Sequence, residues 1–280
     1  MSLDKYSKLL YVVFSIALIM SNHVPTILAL DFDGVICDGL VEYFQTTKRT
    51  YHQIWTSEKQ TINEDLAPRF YRLRPVIETG WEMPILLRAL ILGFSEEKIF
   101  PNWSIIARKI LESERLDPKE VSQKLDRIRD EWIESDLEGW LALHRFYPGV
   151  IDRIACILDS SIKFYIVTTK ESRFVKKLLQ QQGIDLPEKT ILGKEYKCPK
   201  YEILRQLLEI NSASPVNLWF VEDRLEALEL VRQQSDLQKA KLYLADWGYN
   251  TQQTRESIRD RQDIKLLSLA QFSQDFSAWY

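Results

Sequence analysis

Four short apolar runs, separated by helical patterns, are the feature of this sequence that most restricts its fold. They are Thr26–Asp31 (TILALD), Phe164–Thr168 (FYIVT), Val216–Val221 (VNLWFV) and Lys241–Ala245 (KLYLA). Continuous apolar runs of this length are typical of strands that are buried on both faces. Strands that alternate with helices predict a parallel sheet with helices on both sides. We therefore expect an α/β fold with a Rossmann-like parallel sheet flanked by helices.

Helical signals fill the segments between the later runs. Ser172 is a candidate N-cap of a helix, and Gly183 stands where a helix C-terminus favours glycine. Pro199 fits the first turn of the next helix. These signals place one helix after the second run and another before the third.

The stretch 40–145 differs from the rest because it has several helical patterns and few strand-like runs. Asp117-Pro118 is typical of a capped helix start, and apolar residues follow it at helical spacing (Val121, Leu125, Ile128 and Trp132). We expect residues 40–145 to form a helical domain of their own. It would be inserted into a core domain made of residues 23–39 and 146–280.

Residues 1–22 form an apolar N-terminal extension. Lys5 and Lys8 precede the run Leu9–Met20, which has about half of the roughly 20 residues that a membrane-spanning helix needs. Three interpretations stay open: an upstream extension from a misassigned start, a membrane anchor or export signal, and an extra packed helix.

Charge and cysteine content restrict the partners and the compartment. The net charge is −3 and there is no long basic run, so nucleic acid is not an expected partner. The three cysteines, Cys37, Cys156 and Cys198, are far apart and lack metal-ligand spacing. A sparse, odd set of cysteines favours a reducing compartment. We expect a cytoplasmic protein with no membrane partner.

Two aspartates close the first apolar run. Asp31 and Asp33 lie where the carboxyl end of the first strand is predicted, which is the edge at which open parallel sheets bind ligands. Residues two apart on a strand point the same way, and Gly34 allows a sharp turn close to a ligand. Two converging carboxylates either bind a metal or divide the roles of acid and base.

The motif Asp31-Phe32-Asp33-Gly34-Val35 resembles the first motif of the haloacid-dehalogenase-like superfamily. Further matches follow in the family's order: Ile166–Lys170 (IVTTK), Cys198–Tyr201 (CPKY), and Trp219–Asp223 (WFVED), which ends in an acidic pair. Phe146–Val150 (FYPGV) resembles the segment that re-enters the core after a helical cap. Trp247-Gly248-Tyr249 resembles a short motif of phosphoglycolate-phosphatase-like members. Together the matches run from about residue 26 to 250.

The resemblance implies a role for each matched residue. Asp31 would attack phosphorus and form an aspartyl-phosphate, and Asp33 would protonate the leaving oxygen and then activate water. Thr168 would donate its hydroxyl to a phosphoryl oxygen, and Lys200, with Lys197 as its rival, would neutralise negative charge in the transition state. Magnesium is the implied cofactor. Its expected ligands are Asp31, Asp33 (through its backbone carbonyl), Asp223 and Glu222, the last as a direct ligand or as a neighbour of the ligands.

In this family the helical cap chooses the substrate. We expect Gly34 and Thr169 in the core, and Arg72 and Arg74 in the cap, to contact a small-molecule phosphate ester. The alternative for the arginines is a solvated basic turn or a salt bridge to Glu78 or Glu82.

The function that we expect is magnesium-dependent hydrolysis of small phosphorylated metabolites. A phosphomutase shares all of these motifs. A haloacid dehalogenase uses the first aspartate but needs no metal, so Asp33 and the acidic pair argue against it. A catalytically weak binding or regulatory protein is the alternative from another class.

Overall fold

A computed structural model describes residues 24–55, 62–211 and 216–279. The chain divides into two compact units, Met1–Asp38 with Phe146–Tyr280, and Gly39–Arg145. The second unit starts one residue earlier than the inserted domain that the sequence predicts. The predicted N-terminal extension, residues 1–22, lies outside the described residues.

The first unit contains a six-stranded parallel sheet. Its strands are β1 (Ile27–Leu30), β4 (Lys163–Val167), β5 (Ile191–Leu192), β6 (Leu218–Glu222), β7 (Lys241–Ala245) and β8 (Ile264–Leu267). Their order across the sheet is β5-β4-β1-β6-β7-β8, and every neighbouring pair is parallel. Two short strands, β2 (Cys37–Asp38) and β3 (Arg145–Phe146), form a separate two-stranded sheet. The predicted α/β class is confirmed, and each of the four apolar runs contains a strand.

Helices alternate with the strands of this sheet. They are α7 (Val150–Leu158), α8 (Ser172–Gln181), α9 (Lys200–Ile210), α10 (Leu225–Arg232), α11 (Gln252–Ser257) and α12 (Leu269–Phe272). The N-cap of α8 is Glu171 and not Ser172, because the Ser172 hydroxyl donates instead to Glu195 (2.9 Å) and to the carbonyl of Ile191 (3.3 Å). Gly183 has a φ of +75°, as a glycine after a helix C-terminus requires.

Both faces of the sheet are buried, which explains the continuous apolar character of the strands. On one face, strand residues such as Phe220 and Leu244 pack with Leu204 of α9 and Leu228 of α10. On the other face, Trp219 contacts the ring of Trp279, with the ring centroids 5.6 Å apart. Burial of this apolar area is the main stabilising contribution to such a fold.

In its described residues the second unit consists of helices joined by turns and loops, and Arg145 at its end is its one strand residue. Its helices are α1 (Leu40–Ile54), α2 (Ala67–Arg72), α3 (Glu82–Ile91), α4 (Glu96–Glu114), α5 (Pro118–Ser135) and α6 (Leu137–Leu141). Helix α1 packs against α3 and α5. The predicted cap at Asp117 is present, since its carboxylate accepts hydrogen bonds from the backbone N–H groups of Lys119 (2.7 Å) and Glu120 (3.2 Å).

A buried ion pair lies inside this helical unit. Glu42 on α1 has no exposed surface, and its Oε1 atom accepts hydrogen bonds from Arg129 Nε (2.8 Å), Thr46 Oγ1 (2.6 Å) and Trp140 Nε1 (3.1 Å). A buried charge is tolerated where it is both paired and hydrogen-bonded. The carboxylate therefore joins α1, α5 and α6 at one point.

In the part of the chain that the structure describes, no helix combines the length and the apolar character that crossing a membrane requires.

Candidate active site

The parallel register gathers the candidate residues at one edge of the sheet. Leu30, the last residue of β1, pairs with Ile166 of β4 on one side and with Val221 of β6 on the other. Asp31, Thr168 and Glu222 follow these positions, so they emerge side by side at the carboxyl ends of three adjacent strands. The backbone N–H of Asp31 donates to the carbonyl of Val221 (2.9 Å), which fixes the start of the loop.

Three carboxylates and one ammonium group converge at this edge. Asp31, Glu222 and Asp223 are buried, and each has an oxygen within 4.8 Å of the others. Lys200, the first residue of α9, places its Nζ atom 2.9 Å from Asp31 Oδ1 and 2.6 Å from Glu222 Oε2. Of these four groups three are acidic and one is basic.

Burial, together with the neighbouring charges, shifts the pKa values of these groups. Burial raises the pKa of Asp31 to about 7, the charge of Glu222 adds to the rise, and Lys200 opposes it. Burial likewise raises the pKa of Glu222 to about 7, with Lys200 opposing and Asp223 adding to the rise. Burial alone would lower the pKa of Lys200, but the charges of Asp31 and Glu222 raise it on balance.

A divalent cation suits this cluster. Asp31 Oδ1 is buried and makes no hydrogen bond, although it lies within ion-pair distance of Lys200. Carboxylate oxygens are the hard ligands that Mg²⁺ prefers, and a bound cation would offset the surplus negative charge. The donor set therefore fits magnesium, with Asp31 and Asp223 as the protein carboxylates that would hold it.

Glu222 is held by the protein on both of its oxygens. Oε2 accepts from Lys200 (2.6 Å), and Oε1 accepts from the backbone N–H groups of Asp223 and Arg224 (3.1 Å each). These bonds place Glu222 between the motif lysine and the start of α10. They favour the interpretation of Glu222 as a neighbour of the metal ligands.

Asp33 has a partner that the sequence reasoning missed. The Nζ atom of Lys170 lies 3.2 Å and 3.4 Å from the two carboxylate oxygens of Asp33. The backbone N–H of Lys170 also donates to Thr168 Oγ1 (3.2 Å). Lys170 stands two residues after the motif threonine, and this spacing within the loop after β4 is the signal that could have identified it.

Thr168 is buried, and its position depends on a strand that the sequence did not predict. Its backbone N–H donates to the carbonyl of Leu192 at the end of β5 (3.0 Å). Thr169 is exposed. Its predicted contact with substrate stays a prediction.

The structure separates the two candidate motif lysines. Lys200 contacts Asp31 and Glu222, as described above. Lys197 is exposed and has a φ of +51° at the end of a short 3₁₀ turn. Lys200 is therefore the lysine that lies beside the nucleophile candidate.

Gly34 makes a close contact with Asp223. Its φ is +87°, and a Cβ atom there would lie 2.1 Å from Asp223 Oδ2. The glycine thus lets the loop after β1 approach the loop after β6. Its predicted contact with substrate stays a prediction.

The predicted arginines of the inserted domain belong to the second unit. Arg72 forms a two-pronged hydrogen bond with Glu96 (2.9 Å and 2.7 Å), so its acidic partner is Glu96 and not Glu78 or Glu82. Arg74 donates to the carbonyl of Ile77 (2.9 Å), and its guanidinium carbon lies 5.3 Å from the ring centroid of Tyr43. Binding of substrate by these arginines stays a prediction.

Comparison with known proteins found a family match and similar solved structures. The family model of haloacid dehalogenase-like hydrolases matches residues 95–233. This range contains Thr168, Lys200, Glu222 and Asp223, whereas Asp31 lies before it. No curated protein matches the chain.

Solved structures share the fold. One is a haloacid dehalogenase-like family hydrolase from Streptococcus pneumoniae, with 14% identity, a TM-score of 0.53, and coverage of 87% of this chain and 94% of that chain. Another is described as a predicted phosphatase from Clostridium acetobutylicum, with 13% identity, a TM-score of 0.54, and coverage of 89% and 97%. A third is described as a predicted phosphoglycolate phosphatase from Haemophilus somnus, with 14% identity, a TM-score of 0.55, and coverage of 90% and 95%.

In its fold, its ordered motifs and its family match, the chain is similar to the haloacid-dehalogenase-like superfamily. Two of the structural neighbours are described as a predicted and a putative phosphoglycolate phosphatase. At these identities the structural likeness concerns the fold, and the activity is argued from the site.

Proposed function

We propose that this protein is a magnesium-dependent phosphomonoesterase that acts on small phosphorylated metabolites through an aspartyl-phosphate on Asp31. The observation that carries the proposal is the convergence of Asp31, Asp223 and Lys200 at the carboxyl edge of the sheet. A nucleophilic carboxylate, acidic ligands for a cation and a fixed ammonium group are the components that transfer of a phosphoryl group requires.

In the first step an oxygen of Asp31 attacks phosphorus and the ester P–O bond breaks. Asp33 gives its proton to the leaving oxygen, so that the alcohol departs neutral. Lys170 holds the Asp33 side chain in place through the contact at 3.2 Å. In the second step Asp33 takes a proton from water, which attacks phosphorus and releases phosphate from Asp31.

Two further groups stabilise the charge that develops on the phosphoryl oxygens. The Thr168 hydroxyl donates to one of these oxygens, and the Lys200 ammonium group neutralises charge from beside Asp31. Magnesium, when bound by Asp31 and Asp223, supplies positive charge that lets an anionic nucleophile approach an anionic ester.

The acidic cluster favours this chemistry over the alternatives. Dehalogenation by the same fold needs no metal, so the buried carboxylates Glu222 and Asp223 beside Asp31 would have no role there. A phosphomutase would use the same residues, and it differs in passing the phosphoryl group to a sugar hydroxyl. A product assay therefore distinguishes the two.

The test is hydrolysis of an aryl phosphate and of a panel of phosphorylated metabolites, each with Mg²⁺ and with a chelator. We expect release of phosphate that requires Mg²⁺ and that Asp31→Asn abolishes. Asp260→Asn, the same change at an exposed aspartate, is the matched control and keeps full activity.

The intermediate gives a second readout. An acyl phosphate on Asp31 is cleaved by neutral hydroxylamine. Wild-type protein mixed rapidly with a substrate that is labelled in its phosphoryl group should therefore carry that label, and hydroxylamine should remove it. Wild-type protein that binds Mg²⁺ yet leaves the whole panel intact would contradict the proposal and favour a binding or regulatory protein.

A further inference from the structure

The turn after β7 lies directly against Asp223. The chain leaves β7 at Ala245 and passes through residues 246–250 before α11 begins at Gln252. Gly248 allows the contact, because a Cβ atom there would lie 2.2 Å from Asp223 Cβ and 2.5 Å from the carbonyl oxygen of Gly34. Only a residue without a side chain brings the backbone of this turn so close to the carboxylate.

Two hydrogen bonds fix Asp223 to this turn. The backbone N–H of Tyr249 donates to Asp223 Oδ2 (2.7 Å), which sets the rotation of the carboxylate. The side-chain amide of Asn250 donates to the backbone carbonyl of Asp223 (2.9 Å), which holds the main chain that carries the carboxylate. The same amide nitrogen donates to the carbonyl of Ala245 (2.7 Å), so Asn250 also closes its own turn.

Arg255 on α11 determines which way the Asn250 amide points. Its Nη1 atom donates to Asn250 Oδ1 (2.9 Å) and to the Asn250 carbonyl (3.1 Å). A guanidinium group can only donate, so the oxygen of the amide must face Arg255 and its NH₂ group must face the two carbonyls. The orientation of Asn250 is therefore chemically specified.

We propose that Asn250, oriented by Arg255, is a positioning residue that holds Asp223 for magnesium. This inference rests on the proposed function, because it assumes that Asp223 is a metal ligand. The physical reason is that a ligand fixed before binding loses less conformational freedom when the cation arrives. Partners that orient metal ligands typically contribute about 10-fold to 100-fold to affinity.

The test is an Mg²⁺ titration of the full-length chain, in which binding is measured by the shift in thermal unfolding and by calorimetry. We expect Asn250→Ala to raise the Mg²⁺ concentration for half-maximal binding by about tenfold. Gln253→Ala, at an exposed position three residues away, is the control and leaves it unchanged. At saturating Mg²⁺ the variant should recover the wild-type kcat and KM, since Asn250 acts through Asp223 and does not contact substrate.

Arg255→Ala provides an independent arm should Asn250→Ala fail to fold. This change leaves the Asn250 amide in place but removes the group that orients it. We therefore expect a smaller rise in the Mg²⁺ concentration for half-maximal binding than in Asn250→Ala. The positioning role is overturned if either folded variant binds Mg²⁺ half-maximally at a concentration within twofold of the wild-type value. Wild-type protein that does not bind Mg²⁺ overturns the proposed function, and this role with it, so the two failures are distinguishable.

Discussion

The Lys200 ammonium group lies 2.6 Å from a carboxylate oxygen of Glu222, a residue with no exposed surface. Lys200 also lies 2.9 Å from Asp31, so one cation is shared between two buried anions. A buried charge that loses its partner is strongly unfavourable. This lysine therefore affects both the chemistry of the site and the stability of the fold.

Replacement of each lysine should show whether Lys200 or Lys197 is the catalytic one. We expect Lys200→Met to lower kcat about 100-fold or more, because it removes charge stabilisation beside the transferred phosphoryl group. Lys197→Met, at the exposed position, should keep activity within about twofold of wild type. Steady-state kinetics at saturating Mg²⁺ measures both, and equal losses in the two variants would contradict the assignment.

Lys200→Met should also have a stability signature in chelator. Asp31 and Glu222 would then be buried without their cation, which typically costs about 3–5 kcal/mol. Lys197→Met has no such effect. Denaturant unfolding of both variants in chelator is the measurement. A Lys200→Met protein as stable as wild type would show that the contacts of Lys200 with Asp31 and Glu222 contribute nothing to stability.

Two glycines with nearly the same φ angle provide a test of the contact with Asp223. Gly34 and Gly93 have φ values of +87° and +86°, so alanine introduces strain from a positive φ at both positions, about 1–2 kcal/mol each. Only at Gly34 would the new Cβ overlap Asp223, because nothing lies within 4 Å at Gly93. We expect Gly34→Ala to abolish stabilisation by Mg²⁺ and Gly93→Ala to retain it. An Mg²⁺ response in Gly34→Ala equal to that of wild type would count against the site.

The convergence of the site was predictable because its residues follow strand ends. In a parallel sheet all carboxyl ends lie on one edge, so Asp31, Thr168 and Glu222 become neighbours once the strands are recognised. The strands β1, β4, β6 and β7 were recognisable because each is a continuous apolar run that is buried on both faces. Helix α5 was recognisable from its cap at Asp117.

Other parts of the structure had no comparable signal. Strand β5 has two residues, Ile191–Leu192, too few to show a period, and β8 is an edge strand whose apolar run is broken by Lys265. The contacts of Lys170 with Asp33 and of Asn250 with Asp223 join separate loops. Such contacts depend on loop geometry that the periodicity of the sequence does not encode.

The buried ion pair of the helical unit should dominate the stability of that unit. We expect Arg129→Met to lower the free energy of unfolding by about 3–5 kcal/mol, because Glu42 stays buried without its charged partner. Arg127→Met removes an exposed pair with Glu131 on the same helix and should have little effect. Denaturant unfolding at neutral pH measures both. The double variant Glu42→Gln with Arg129→Met should recover part of the loss, since it removes the unpaired charge.

Mg²⁺ should change how the stability of the protein depends on pH. In chelator, the pKa values of Asp31 and Glu222 are raised to about 7, above the ordinary values of 3.8 and 4.5. Between about pH 4 and 7 the folded protein then binds more protons at these groups than the unfolded chain does. Their contribution to stability is therefore present at low pH and is lost as the pH rises through 7.

A bound cation reverses this effect, because it favours the charged form of the carboxylates that hold it. We expect the increase in melting temperature with Mg²⁺ to be larger at pH 8 than at pH 5.5, and to be absent in Asp223→Asn at both values. Asp260→Asn, at an exposed site, keeps the wild-type pattern. An increase that is the same at both pH values would mean that the cation binds away from these buried carboxylates, since only groups that exchange protons with the cation make its binding depend on pH.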